Sequence, residues 1–301
     1  MKSVSFKLFN ALTILAMITL LWACGGGSSE GDQSSASDEF AAAQEEIASD
    51  IDTYIKDLPP PSEVPFLLMA TGSDFSNDLL NSLDNYERYT TSTDKSALNL
   101  GVYATDIGYL SSYDQTDAVY ESVQVCQQLA DAIGVASAID IDLLSRFEEN
   151  VGNRDSLAVL IDEVMEVTGE RLQTLDRINL AAIALSGSFV EGLYITMGVI
   201  DSNPDDLPEN LRNKLLQPLV EIVIKQKQTL NDLIKVIGEV EQTPALTNMT
   251  TELNKLKTIY DEDLGDIEEK IANNDGSLQL NKELLTRLTT EVRRIRASII
   301  E

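Results

Sequence analysis

Beyond residue 60, apolar residues recur at spacings of three and four through almost the whole chain, and alternating strand-type patterns are scarce. That period is the helical one. It predicts helices near 62–71, 74–87, 94–113, 116–133, 140–151, 155–174, 176–200, 208–240, 246–272 and 278–300. A shorter helix over about 38–57 should stop at Pro59-Pro60-Pro61 and Pro65, because proline lacks the amide donor and pushes its predecessor out of helical geometry. Breaks are expected at Gly72-Ser73, Thr90–Thr93, Gly134, Gly152-Asn153, Asn203-Pro204, Thr243-Pro244 and Asn273–Ser277, with Thr93 and Asp140 suited to cap the helices that follow them. The predicted class is all-α, a multi-helix bundle of roughly 260 ordered residues, enough for a large core.

The last third is the most regular. Leu216, Leu219, Val223, Leu230, Leu233, Ile237 and Val240 keep the spacing, with Gln226 filling one apolar position. Leu246, Met249, Leu253, Leu256, Tyr260, Leu264, Ile267 and Ile271 do the same, as do Leu285, Leu288, Val292, Ile295 and Ile299. Short connections predict an antiparallel, coiled-coil-like section of three helices. The 39–301 domain is thus expected to hold sub-bundles at 39–200 and 208–301. Arg287, Arg293, Arg294 and Arg296 crowd the final helix. They fit either a basic binding patch or cations placed favourably near a helix C-terminus.

Two stretches are apolar nearly all round and are therefore expected at the centre of the bundle. In the first, 96–110, Ala97, Gly101, Ala104 and Gly108 make a stripe of small residues on which another helix can approach closely. Asp106 lies on the opposite side with Asn99 and Tyr113 near its direction, flanked by Tyr103 and Tyr109. In the second, 180–200, Glu191 is the only formally charged residue, on a face shared with Ala184, Gly187, Ser188, Tyr194 and Gly198. An ionised carboxylate withdrawn from water needs donors, a cation or a proton. Arg171, Arg177 or tyrosine hydroxyls could satisfy Glu191, a polar ligand or cation pocket could, or it could face solvent. Asp106 could likewise sit on a polar edge. Asp106, Glu191, Asn99, Tyr103, Tyr109 and Tyr113 form the candidate ligand site.

The loop Asp201-Ser202-Asn203-Pro204-Asp205-Asp206 offers oxygens at its first, third and fifth positions. It fails as an EF-hand, because Asp206 stands where glycine is needed and Arg212 where the bidentate glutamate belongs. Asp201, Asn203 and Asp205 are left as weak cation candidates, and no metal site is otherwise expected.

Composition narrows the chemistry. There is no histidine, which removes the commonest general base and the usual zinc ligand. No nucleophile–base pair and no phosphate-cradling glycine loop is recognisable, so no catalytic residue and no cofactor is assigned.

The N-terminus supplies a location. Lys2 and Lys7 precede an apolar stretch from Leu8 to Leu21, and Leu21-Trp22-Ala23-Cys24 leads into Gly25-Gly26-Gly27-Ser28-Ser29. That is the layout of a bacterial lipoprotein signal: residues 1–23 cleaved, Cys24 lipidated (palmitate and related acyl chains), and 24–38 a flexible tether. The tether's root-mean-square reach is about 20 Å. Removing residues 1–23 takes away Lys2 and Lys7 and no acids, leaving 20 basic against 50 acidic residues and a formal charge of −30. Such a field repels nucleic acid and anionic headgroups. With Cys24 lipidated, Cys126 is the remaining thiol, which its apolar neighbours mark as a small core residue.

From about residue 60 the chain resembles a group of uncharacterised helical lipoproteins found mainly in Bacteroidota. The resemblance is carried by Pro61-Ser62-Glu63, Tyr89-Thr90-Thr91, Ala97-Leu98-Asn99-Leu100-Gly101-Val102-Tyr103, Asp106-Ile107-Gly108-Tyr109, Asp155-Ser156-Leu157 and Glu191-Gly192-Leu193-Tyr194. It covers most of 60–200, fades in the last third, and departs at Phe189, where relatives carry tryptophan. It implies an exported helical domain on an envelope membrane and brings no activity.

The leading expectation is a non-catalytic lipoprotein of the cell envelope, held at the outer membrane by the Cys24 lipid in the bilayer and binding a small polar ligand or an envelope protein. Periplasmic and surface faces both stay open. An enzyme or metal-dependent sensor using Asp106 and Glu191 is the alternative, and a purely structural scaffold the third.

Overall fold

The computed structural model describes residues 58, 60, 62–136, 141–150, 153–174, 177–202, 209–263 and 282–301. The signal at 1–23, Cys24, the 24–38 tether, the expected helix at 38–57, Asp140 and the end of the expected 246–272 helix lie outside these residues. The described helices belong to one unit spanning Ala48–Glu301.

The described residues are mostly helical, without strands, so the all-α class holds. In chain order they form α1 (Glu63–Ala70), α2 (Tyr86–Tyr89), α3 (Thr93–Ser112), α4 (Thr116–Ala132) and α5 (Ile141–Asn150). Then come α6 (Arg154–Thr174), α7 (Ile178–Asp201), α8 (Glu209–Glu239), α9 (Pro244–Asp263) and α10 (Lys282–Ile300). Helix ends follow from local chemistry. Gly134, at φ +80°, ends α4: its N–H bonds the Asp131 carbonyl and that of Val135 bonds Ala130. Glycine is favoured there because the left-handed residue closing this double bond must carry no Cβ penalty. Asp114 takes the same role after α3 at φ 58°, with Gln115 N–H reaching back to Leu110.

Two expectations need correction. Over 74–87 the apolar spacing predicts one helix, but the chain makes 3-10 turns at Asn77–Leu79 and Leu83–Asn85 before the short α2. Phe75, Leu79, Leu80 and Leu83 still pack on the core. The extended backbone at Leu80 and Ser82 frees the Asn81 N–H from any helical partner and sends it to Asp106. Thr93 is not the cap of α3 either. Ser92 stands in that position in extended geometry, with no side-chain capping bond.

α7 is the core of the unit. It is long and apolar enough to cross a membrane by length and composition, yet most of it is buried against α3, α8, α10, α6, α9 and α1. The closest approach is to α3. A Cβ built on Gly101 would lie 1.8 Å from the Ala184 carbonyl oxygen, and one on Gly187 would lie 2.0 Å from that of Leu98. Only hydrogen fits at either position, so backbone meets backbone. Thr105 and Ser188 hydroxyls, 2.8 Å apart, tie the same crossing. The small-residue stripe is therefore split: Gly101 serves α7, while Ala104 faces a small apolar cavity shared with Val123, Cys126 and Phe147.

In the last third, α8 and α10 each pack on α7 and on α9. The spaced apolar residues of α8, α9 and α10 described here, Leu219, Leu230, Leu253, Leu256, Leu288 and Val292 among them, are buried.

Candidate functional site

Glu191 sits midway along α7 with no solvent exposure, in a helix otherwise free of charge until its last residue, Asp201. Its partner comes from the far end of the chain. Arg296 of α10, 8% exposed, donates from Nε to Oε2 and from one terminal nitrogen to Oε1, both at 2.9 Å. This two-point geometry is the strongest form of charge-assisted hydrogen bond available to a carboxylate. The guanidinium carbon also lies 4.0 Å from the centroid of the Tyr194 ring, one turn beyond Glu191. The sequence-near candidates, Arg171 and Arg177, do other things: Arg171 is exposed and Arg177 donates to the Ile133 carbonyl. Both are nearer to Glu191 in sequence than Arg296 is, but Arg171 belongs to α6, and Arg177 stands at the start of α7, about four turns before Glu191.

Asp106, 2% exposed, joins the cluster from α3. Its Oδ2 accepts the Asn81 N–H at 3.1 Å, and its Oδ1 has no N–H donor. Burial, then the charge of Glu191, raises its carboxyl well above the usual range, against the pull of the Asn81 N–H and Arg296. Burial raises Glu191 as well, while Arg296 and a hydrogen bond from Asp106 hold it back. Of the two carboxyls Asp106 is the one that holds a proton more readily, and Arg296 favours the ionised form of Glu191.

The other candidate residues divide. Tyr103 joins the acids: its hydroxyl donates to the Ser82 carbonyl at 2.8 Å, and burial, then neighbouring Tyr89 and Asp106, push it up. Asn99 faces α10, donating through Nδ2 to the Ile299 carbonyl at 3.2 Å. Tyr89 and Arg88 donate to the next carbonyl, Ile300, at 2.9 and 3.1 Å. These bonds satisfy carbonyls that the last turn of a helix leaves without partners. Tyr109 and Tyr113 lie elsewhere, stacked and tilted against Phe75 at centroid distances of 5.4 and 5.7 Å. The Tyr109 hydroxyl accepts the Ser76 N–H, and burial pushes Tyr113 up to about 12.

Of the loop residues, Asp201 pairs with Arg293 at 2.8 Å, and Asn203 and Asp205 lie outside the described residues. Among the described residues no group of three acids or thiols could hold a metal. Arg287 and Arg294 of α10 pair with Glu262 and with Glu252 and Glu291, so the crowd of arginines is matched by acids instead of forming an open basic patch. The Cys126 thiol is buried and pushed up by that burial, which suits a core residue.

Two carboxyls in direct hydrogen-bond contact leave no room for a sugar between them; glycosidase pairs stand ~5 Å or more apart. Among the residues the sequence did not single out for this cluster, Arg296 is the decisive one. Its signal was present: it lies inside the apolar face of α10, between Val292, Ile295 and Ile299. Compared with protein-family models, curated proteins and solved structures, the chain matches none.

Proposed function

We propose that this chain is a non-catalytic, lipid-anchored helical protein of the bacterial envelope in which Asp106, Glu191 and Arg296 fasten the C-terminal helix to the core. The single observation that carries this is the Arg296 guanidinium on both oxygens of Glu191, in the place a cationic ligand would have taken. Ligand or partner binding is then a task for other surfaces, and α8, α9 and α10 form the antiparallel, coiled-coil-like section that backs α7. The anchor rests on the Lys2–Cys24 signal and the tether behind it, and the likeness to Bacteroidota lipoproteins from residue 60 agrees with an envelope membrane, which we take to be the outer one.

A thermal-shift screen of divalent cations, sugars and amines on wild type and Glu191→Gln tests the role of the acids. The expected result is a lower melting temperature for Glu191→Gln and no compound that separates the two proteins beyond that offset. A compound that stabilises wild type and loses its effect in Glu191→Gln would return the acids to a ligand site.

A further inference from the structure

The stretch from Ser76 to Asn85 covers part of α3 without becoming an α-helix. Leu79, Leu80 and Leu83, all half-buried, pack on the core, Leu79 against Gly198 of α7. Three side chains of α3 fasten the backbone of the stretch. The Tyr109 hydroxyl accepts the Ser76 N–H at 3.0 Å, Asp106 accepts the Asn81 N–H at 3.1 Å, and Tyr103 donates to the Ser82 carbonyl at 2.8 Å. The three stand three positions apart along α3, so they are the rungs of a ladder under one strap that runs in the opposite sense. The bonds that close the strap's own turns are long: 3.4 Å from the Leu79 N–H to Ser76, and 3.2 Å from Leu80 to Asn77 and from Asn85 to Ser82.

The middle rung is the weak one when charged. Asp106 is buried, one of its oxygens receives a single neutral N–H, and the other receives no N–H at all. The nearby cation, Arg296, is engaged by both oxygens of Glu191, with Tyr194 beneath it. The other titratable groups that act on Asp106 bring no positive charge: Glu191 comes from α7, Tyr103 from α3 itself and Cys126 from α4, with Tyr89 of α2 beside Tyr103. α1 and α6 also pack on α3, and their Glu63 and Asp162 act on each other. The strap's own Asp78 and Asp84 are exposed. An acid so placed keeps its proton while it is covered. Water can reach it if α10 lifts or if the strap lifts. Lifting α10 strips Glu191 of its cation, whereas lifting the strap leaves Arg296 where it is, so the strap is the easier route.

We infer that Ser76–Asn85 is a proton-operated cover, closed while Asp106 holds a proton and opened when Asp106 gives it up. Under the open strap the carboxyl is wet and ionises in the ordinary aspartate range; under the closed strap burial, then Glu191, raises it. The strap is therefore shut in acid. Between the two ranges each pH unit raises the ratio of open to closed about tenfold, and above the raised range the ratio levels off. The inference rests on the proposed cluster in one respect, that Arg296 stays on Glu191 while the strap moves.

Hydrogen exchange of the full chain, followed by NMR from pH 5 to 8, reads the strap directly. Base catalysis quickens every amide as pH rises, and the amides of α8 and α9 supply that baseline. In wild type the Asn81 and Asn85 amides should climb faster than the baseline, by up to about tenfold more per pH unit. Asp106→Asn cannot ionise and should lose the excess. Tyr103→Phe removes an outer rung, so it should quicken strap exchange about fivefold at every pH and leave the excess slope unchanged. Wild type and Tyr103→Phe decide the matter even where Asp106→Asn does not fold. Strap amides that follow the baseline in wild type overturn the proposal, as does an excess slope that survives in Asp106→Asn. An excess shared by α8 and α9 marks global unfolding and overturns it too. The fastening role of Arg296 is read separately, because Arg296→Met should quicken exchange along α10 at every pH whatever the strap does.

Discussion

Replacing Gly101 by alanine adds one methyl group to a buried helix and should nevertheless be among the most damaging small changes in the chain. The new Cβ would lie 1.8 Å from the Ala184 carbonyl oxygen, 2.7 Å from the Ser188 nitrogen and 2.8 Å from the Ala184 carbonyl carbon. All three are backbone atoms, so no side chain can swing aside. Bringing the shortest contact to ordinary separation requires α3 and α7 to part locally by about 1.5 Å, a gap large enough to forfeit much of the dispersion energy along the crossing. The Thr105–Ser188 bond crosses the same gap. Overpacking of this kind costs about 1–3 kcal/mol and belongs at the upper end here, because backbone must move. Alanine's better helix propensity returns about 1 kcal/mol. The net loss is about 2 kcal/mol, which in a unit of this size lowers the melting temperature by about 4–8 °C. Gly169 and Gly238 supply the control, since a Cβ at either meets no atom within 4 Å. Alanine there should raise stability by about 0.5–1 kcal/mol. Circular dichroism with heat and with urea reads all three. Gly101→Ala melting at or above Gly169→Ala would show that the two helices do not touch through backbone.

Asp106→Asn keeps the shape of the protonated acid and removes its titration. In wild type the native state holds a proton that the unfolded chain releases above the ordinary aspartate range, so stability is greatest in acid and falls as pH rises toward the raised carboxyl range. The variant should flatten that fall and match or exceed wild type at pH 8, and a profile parallel to wild type would refute the shared proton. Glu191→Gln strands the Arg296 charge and should cost about 3–5 kcal/mol, whereas Glu191→Gln with Arg296→Met should recover most of it; equal losses in the single and double variants would refute the pairing. Cys24→Ser should abolish fatty-acid labelling and membrane fractionation, and a wild-type protein released in soluble form would end the lipoprotein reading.

The central stretches of α3 and α7, 96–110 and 180–200, and the one acid within each were legible in the sequence, because both depend on local facts: apolar residues on every side and a single charge among them. Less was legible where distant parts of the chain decide. Residues 74–87 satisfy the helical spacing, yet their apolar side chains reach the core from short turns, and the Asn81 N–H gains a buried carboxylate that a helix would have denied it. Arg296 lies 105 residues from Glu191, and proximity along the chain favoured Arg171 and Arg177 instead. An arginine inside an apolar helix face should be matched to a buried acid anywhere in the fold, not to the nearest one in sequence.

These facts depend on one another in a definite order. Glycine at 101 and 187 lets α3 and α7 meet through backbone, and that approach carries Asp106 into hydrogen-bond contact with Glu191. Two acids so close cannot both be ionised without a cation, and the cation is Arg296. It arrives on a helix whose last carbonyls are received by Asn99, Tyr89 and Arg88, residues of α3 and α2. The end of the chain is thus what neutralises its centre. A helix that docked on apolar contact alone could be lost with its buried area. Losing α10 would also leave the buried Glu191 carboxylate without its cation, so the docking of α10 and the packing of α3 on α7 support one another.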